Sequence, residues 1–131
     1  MSQTGRAFGQ AAEAAAEHYL RRKGFHILGR NKRSVTGELD LIAETEGVLV
    51  FVEVKARRTG AYGGAAYAVD RRKQGRLVRL AAQYLSSHRL RNRLCRFDVV
   101  LYDGGPADVG KADVIEHIEN AFEVPGEDLR W

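Results

Sequence analysis

The sequence predicts a single domain of the α/β class. Its 131 residues suffice for one ordinary hydrophobic core, and 44% hydrophobic with 29% charged residues is typical of soluble globular proteins. Two segments have the periodicity of amphipathic helices, and five short apolar runs have the length and composition of strands. Their order is helix, three strands, helix, two strands. We expect residues 1–5 and about 120–131 to be loosely ordered tails.

The first predicted helix runs from about Arg6 to Lys23, and Gly24 closes it. Its apolar stripe repeats at three- and four-residue spacing and consists of Phe8, Ala12, Ala15, Ala16, Tyr19 and Leu20. Glu13 lies at the flank of this stripe, whereas Glu17 lies further toward solvent. If either acid reaches inward it is Glu13, although periodicity alone favours a solvated carboxylate.

A short strand from Phe25 to Leu28 is predicted next, followed by a polar connection from Gly29 to Ser34. Basic residues of this connection, among them Lys32 and Arg33, are candidates for contact with a phosphate backbone.

Two strands, Glu38 to Ala43 and Val48 to Val54, flank a polar, glycine-containing segment that predicts a hairpin turn. Residues that face each other across a hairpin have numbers with a constant sum, and a loop of two or four residues here makes that sum odd. Asp40 and Glu53 then share one face as diagonal neighbours. A three-residue loop or a bulge would separate them.

Carboxylates on a largely buried strand pair are unfavourable unless something neutralises them. Asp40 and Glu53 could bind a divalent metal ion, because such ions prefer oxygen ligands. Alternatively, Lys55 forms an ion pair with one of these acids and the cluster is structural. The residue pattern by itself leaves both interpretations open.

The second predicted helix follows the N-cap residue Asp70 and ends near Ser87. Its buried stripe consists of Leu77, Leu80, Ala81, Tyr84 and Leu85. Gln74 lies on the inward column near the start, where it is either a capping amide or a site residue. A strand from Leu94 to Tyr102 and a weaker edge strand from Ala112 to Ile118 complete the prediction.

Charge is distributed unevenly along the chain. The segment 55–96 contains twelve Lys and Arg against one acid, whereas 98–131 contains nine acids against two basic residues. A basic block of this density favours binding to a polyanion, although solvated helix faces are often basic as well. The candidates for contact with nucleic acid are Arg57, Arg58, Arg72, Lys73, Arg76 and Arg79, together with Lys32 and Arg33.

The remaining composition favours a cytoplasmic protein that does not enter membranes. No apolar run approaches a membrane span, and the first ten residues lack the order of a signal peptide. Cys95 is the only cysteine, so an internal disulfide is excluded and a buried thiol is expected. The four histidines lack the spacing of a metal motif and are interpreted as surface or core residues.

The element order, with an Asp, twelve intervening residues and Glu-x-Lys across the hairpin, resembles the restriction-endonuclease-like nuclease superfamily. Those residues are Asp40, Glu53 and Lys55. More closely, the chain resembles the YraN family of small bacterial proteins over most of its length. The matching stretches are GQAAEAAAEHYL at 9–20, Asn31, GELDLI at 37–42, FVEVKAR at 51–57, Lys73-Gln74 with 81–85, and RFDV at 96–99.

This resemblance implies a restriction-endonuclease-like fold, in which a mixed central sheet is flanked by helices, and a metal-dependent phosphodiesterase site. By position, Asp40 and Glu53 match the superfamily's metal ligands and Lys55 its catalytic lysine. Glu13 matches the acidic residue of the family's first helix. Gln74 matches a polar residue that often follows the Glu-x-Lys motif.

The resulting hypothesis is an endonuclease that uses Mg²⁺ or Mn²⁺ to hydrolyse DNA or RNA, with DNA the expected partner and branched structures among the candidate substrates. Asp40 and Glu53 would bind the metal, with Glu13 or Glu38 assisting through water. Two rival classes are a noncatalytic nucleic-acid-binding module and an interaction protein whose acidic C-terminal third binds a basic partner. A homodimer is one of the open oligomeric states.

Overall fold

The structure is a computed structural model that describes residues 5–57, 69–103 and 113–123. Within these ranges, seven elements follow one another in the predicted order. They are α1 (Gly5–Arg22), β1 (His26–Ser34), β2 (Gly37–Thr45), β3 (Val48–Arg57), α2 (Arg71–Ser87), β4 (Cys95–Asp103) and β5 (Asp113–Ile118). Neither described helix is both long enough and apolar enough to cross a membrane.

The strands form one mixed sheet in the order β1-β2-β3-β4-β5. Neighbouring strands are antiparallel except β3 and β4, which are parallel and are connected through α2. Two apolar clusters cover the sheet: one includes Leu77, Leu80 and Tyr84 of α2, and the other includes Ala16 and Leu20 of α1. This arrangement confirms the predicted single α/β domain with a mixed sheet flanked by helices.

Both helices agree with their sequence predictions. Gly24, with a φ of 96°, follows α1 in a backbone conformation that L side chains rarely adopt. At the start of α2, the Asp70 side chain accepts a hydrogen bond from the Lys73 amide at 2.8 Å. The predicted apolar stripe of α2 is its set of buried residues: Leu77, Leu80, Ala81, Tyr84 and Leu85.

The predicted polar connection from Gly29 to Ser34 is wrong, because these residues continue strand β1. They pair with β2 as far as Ser34, opposite Gly37, after an irregularity between Ile27 and Gly29. Because β1 lies at the edge of the sheet, most of its side chains face solvent and need no apolar alternation. Polar composition was therefore a misleading criterion for a loop.

The prediction that the chain is loosely held from Asn120 is wrong for residues 120–122. The Asn120 amide donates to Asp98 at 3.0 Å, and the Ala121 amide donates to the Phe97 carbonyl at 2.7 Å. Phe122 is buried and stacks on Phe97 with ring centroids 4.7 Å apart. Backbone bonds and one aromatic contact thus fix this segment beside β4.

The hairpin between β2 and β3 has a two-residue loop, Glu46-Gly47, whose φ angles of 50° and 80° are those of a type I′ turn. Paired residue numbers sum to 93, from Thr45 with Val48 to Leu41 with Val52. The predicted odd sum is confirmed, although its value is 93 and not the expected 91. The regular pairing stops at Leu41 and Val52, before it reaches Asp40 and Glu53.

Candidate functional site

The regular β2–β3 ladder ends one residue before Asp40. The last paired residues are Leu41 and Val52, and the Val54 amide donates to Oδ2 of Asp40 at 2.8 Å. An aspartate side chain therefore accepts a bond that a backbone carbonyl would otherwise take. Leu39 and Leu41 also pack in different apolar clusters, so β2 changes face at Asp40.

Strand β1 also has an irregular backbone, at the residue that faces Asp40. Its flanking residues pair in register, Arg30 with Leu41 and Lys32 with Leu39, so Asn31 lies opposite Asp40. Asn31 has a φ of 51°, an unusual value for a residue other than glycine. Its side chain hydrogen-bonds to the carboxylate of Glu13 on α1. The irregularity thus places a side-chain donor where α1 approaches the sheet.

Three carboxylates meet at this point and are called the acid cluster: Glu13, Glu38 and Asp40. One oxygen from each lies within 4.8 Å of the others, and all three side chains are half-buried. Oxygen atoms at this separation, supplied by α1 and β2, fit a divalent cation such as Mg²⁺ or Mn²⁺. The structure therefore brings together three of the four predicted metal ligands.

Hydrogen bonds and the contact with Arg33 offset the electrostatic repulsion within the acid cluster only in part. Burial, followed by the charge of Glu53, raises the pKa of Asp40 to about 7 despite the hydrogen bond from Val54. Burial and the charge of Glu38 also raise the pKa of Glu13, while the bond from Asn31 opposes this rise. Both shifts mean that the site favours a bound positive charge, either a proton or a metal ion.

Glu53, the fourth predicted ligand, lies beside the acid cluster in an ion pair. Its Oε2 is 2.5 Å from Nζ of Lys73, and the two side chains are 13% and 22% exposed. Lys73 was expected to contact nucleic acid. In the structure, this residue of α2 instead forms an ion pair with a carboxylate on β3. Sequence reasoning missed this pair because the two residues are twenty positions apart (73 − 53) on different elements.

Lys55 and Gln74 occupy positions next to the same region. Lys55 is half-buried and lies two residues after Glu53, on the same side of β3. Gln74 is half-buried, and its Nε2 donates to the Val69 carbonyl at 2.7 Å. Of the two roles considered for Gln74, the structure contains the capping contact. The catalytic roles of both residues stay predictions.

The predicted nucleic-acid contacts lie at several places. Exposed basic residues occur on α2 and on the edge strand β1: Arg72, Arg76, Arg79, Lys32 and Arg33. Nε of Arg33 lies 3.3 Å from Oε2 of Glu38, so β1 brings a cation to the acid cluster. The side chain of Arg57, and Arg58 altogether, lie outside the described residues.

Sequence reasoning missed a second charged cluster, centred on Asp98 of β4. Asp98 is 1% exposed, and it accepts bonds from Arg96 at 2.9 and 3.1 Å and from Nε2 of His117 at 2.8 Å. Burial by itself raises the pKa of this carboxyl. The bonds from His117, Arg96 and the Asn120 amide outweigh burial and lower its pKa. An acid inside the apolar run LCRFDVV was the available clue.

The side chains of His117 and Cys95 are both buried in the core. The His117 side chain is 1% exposed, and Nζ of Lys23 lies 3.0 Å from its Nδ1. His117 is therefore a core histidine, one of the two interpretations made from sequence. Cys95 is buried, as expected, and burial raises the pKa of its thiol to about 11.

Residues 12–102 match the model of the uncharacterised protein family UPF0102. This match covers most of the chain, including the acid cluster, Glu53 and α2. The chain belongs to UPF0102. The resemblance to the YraN family is thereby confirmed, and the restriction-endonuclease-like superfamily is consistent with it.

Relatives in UPF0102 extend over nearly the same length. A UPF0102 protein of Symbiobacterium thermophilum is 50% identical over 101 residues, which cover 77% of this chain and 86% of that protein. A UPF0102 protein of Pelotomaculum thermopropionicum is 44% identical over 124 residues, covering 93% and 100%. One from Myxococcus xanthus is 38% identical over 118 residues, or 90% of each chain.

Proposed function

We propose that this UPF0102 protein is a divalent-metal-dependent nuclease that hydrolyses phosphodiester bonds in nucleic acid. The acid cluster is the observation that supports this function most strongly. Its three carboxylates lie close together, and the pKa of Asp40 is raised to about 7. Such a site is unfavourable for folding by itself, as expected where charges serve binding or catalysis.

Glu13, Glu38 and Asp40 would hold Mg²⁺ or Mn²⁺, and Glu53 would join them if Lys73 moved away from it. The bound ion would stabilise the negative charge that develops on the scissile phosphate and assist in activating water. Val54 fixes the orientation of Asp40 through its amide, and Asn31 orients Glu13. These contacts pre-position oxygen ligands before a metal ion arrives.

Lys55 is the proposed residue that orients or helps deprotonate the attacking water, because it follows Glu53 on the same side of β3. Exposed cations on α2 and β1 would bind the phosphates on either side of the scissile bond. Arg33 contacts the acid cluster directly, through Glu38. It would neutralise the phosphate that enters the site.

The test is a cleavage screen of single-stranded, flapped, branched and duplex DNA and RNA, with Mg²⁺ or Mn²⁺. We expect the wild type to cleave at least one substrate, Asp40→Asn to lose activity by about a hundredfold or more, and EDTA to abolish cleavage. Glu46→Gln is the matched control, because it removes one carboxylate from the exposed turn of the same hairpin. Equal activity of Asp40→Asn and wild type would refute the assignment.

A noncatalytic nucleic-acid-binding module is the second candidate. Two contacts favour it: Lys73 with Glu53 and Arg33 with Glu38 already place cations on acidic residues of the site. This function predicts binding that weakens steeply with salt, needs no divalent metal and is not followed by cleavage. The same screen, combined with binding measured in EDTA, separates the two candidates.

A further inference from the structure

A groove between β1 and α2 adjoins the acid cluster. Its volume is about 260 Å³, and buried side chains of Leu39, Leu80 and Tyr84 form its floor. The walls are polar and consist of Lys32, Arg33 and Ser34 on one side and Gln83, Ser87 and His88 on the other. An apolar floor between polar walls suits a flat, partly polar ring.

The walls favour an anionic ligand. Lys32 and Arg33 are exposed, and none of the described residues lining the groove is acidic. Two cations beside an apolar floor match a group that combines a phosphate with an aromatic base. A nucleotide has this combination, whereas an acidic peptide would leave the floor unmatched.

His88 offers an aromatic surface at the wall. Its ring stacks on Tyr84 with centroids 4.0 Å apart and planes inclined by 25°. Nδ1 of His88 lies 3.0 Å from the Tyr84 carbonyl, which fixes the ring, while the residue itself is exposed to solvent. Exposed aromatic rings of this kind stack on bases regardless of sequence.

One ion pair links the groove to the acid cluster: Nε of Arg33, on the groove wall, lies 3.3 Å from Oε2 of Glu38. A base inside a duplex is covered by its neighbours, so only an unpaired nucleotide could enter. We propose that this groove binds an unpaired nucleotide adjacent to the phosphate that lies at the acid cluster. This inference rests on the proposed function and restricts its substrates to single-stranded or branched nucleic acid.

The experiment measures binding of dye-labelled oligothymidylate, oligouridylate and a blunt duplex to the full chain by fluorescence anisotropy, with EDTA present. Ser87→Trp fills the groove, and His88→Ala removes its exposed ring. Ala82→Trp is the matched control, because Ala82 is exposed on α2 and does not line the groove. Thermal unfolding verifies that each variant is folded.

We expect Ser87→Trp and His88→Ala to weaken binding of at least one oligonucleotide by about fivefold or more, the effect of losing one stacked base. Duplex affinity should stay unchanged, and Ala82→Trp should bind like the wild type. A loss restricted to oligothymidylate or to oligouridylate would support the groove and show which of the two nucleotides it prefers. Wild-type affinity of both groove variants, or an equal loss for duplex, would overturn the proposal.

The two proposals fail in different ways. If no substrate is cleaved but Ser87→Trp selectively weakens single-strand binding, the nuclease proposal fails and the groove stands. If cleavage occurs and depends on Asp40 while Ser87→Trp binds single strands normally, the groove fails and the nuclease stands.

Discussion

Asp98 and Asp40 are two aspartates in neighbouring parts of one sheet with opposite electrostatic environments. Asp98 is the more deeply buried, yet its pKa is lowered, because Arg96, His117 and the Asn120 amide all bond to it. Asp40 is half-buried, and its pKa is raised to about 7 by burial and the surrounding carboxylates. The partners of a buried acid, more than its depth, therefore decide whether it stabilises the fold or stands ready to bind a cation.

Of the substitutions considered, Asp98→Asn is expected to change the stability of the fold most. This change leaves Arg96 without its ion-pair partner and weakens the bond from His117. We expect the free energy of unfolding to fall by about 3 kcal/mol in urea denaturation at neutral pH. Glu44→Gln, which removes a more exposed partner of Arg93, should cost less than about 1 kcal/mol.

The Asp98 effect should also depend on pH. Because the folded-state pKa is lowered, the stabilisation is complete above the unfolded pKa and is lost as pH falls through the folded-state value. The difference between wild type and Asp98→Asn should therefore shrink under acidic conditions. A constant difference down to strongly acidic pH would contradict this account of Asp98.

Asp40→Asn should change the free energy of unfolding in the opposite direction from Asp98→Asn. The folded-state pKa of about 7 means that the wild type loses stability as pH rises from the unfolded value of about 4 toward 7. We expect Asp40→Asn to be more stable than the wild type at pH 8, on the order of 1–3 kcal/mol, without added metal. Near pH 4 the two proteins should differ little, as followed by urea denaturation.

Glu17 provides the matched comparison for Asp40, since it is a carboxylate with a strong cationic partner. A hydrogen bond from Arg30 is the main reason that its pKa is lowered to about 2. Glu17→Gln should therefore destabilise the protein at neutral pH, where Asp40→Asn stabilises it. Destabilisation by both changes would show that the two carboxylates do not differ as described.

Among the variants at the candidate site, Lys73→Met, which removes the cation beside Glu53, has the smallest expected effect on stability. The metal-free protein should lose about 1 kcal/mol of stability, since a half-buried carboxylate is left without this partner. Affinity for Mn²⁺ should rise by about threefold or more, because the site becomes more negative. If isothermal titration calorimetry showed that Lys73→Met binds Mn²⁺ more weakly than the wild type, Lys73 would not be a residue that reduces metal affinity.

Sequence patterns predicted most of the fold, for identifiable physical reasons. The apolar residues of the helices are regularly spaced, and Asp70, a residue type that commonly caps helices, immediately precedes α2. Edge strand β1 was predicted too short, because an exposed strand needs no apolar alternation. The C-terminal contacts of residues 120–122 were missed, because they depend on backbone bonds to β4 that no local pattern encodes.

The candidate site was predictable only in part. Parity of the hairpin predicted that Asp40 and Glu53 share one face. Helical periodicity placed Glu13 nearer the apolar stripe than Glu17 but favoured a solvated carboxylate, and the family resemblance was what identified Glu13 as a site residue. The ion pair between Lys73 and Glu53 joins α2 to β3 and depends on tertiary packing. The Asp98 cluster likewise assembles residues from distant segments, and only the acid within an apolar run indicated it.

The most direct test of the central claim is a Mn²⁺ titration followed by electron paramagnetic resonance at pH 6 and pH 8. Because a proton on Asp40, with its pKa of about 7, competes with the metal, we expect about tenfold tighter binding at pH 8. Asp40→Asn should bind weakly and without this pH dependence, while Glu46→Gln should match the wild type. Equal Mn²⁺ binding by wild type and Asp40→Asn, or none by either, would contradict the claim that the acid cluster is a metal site.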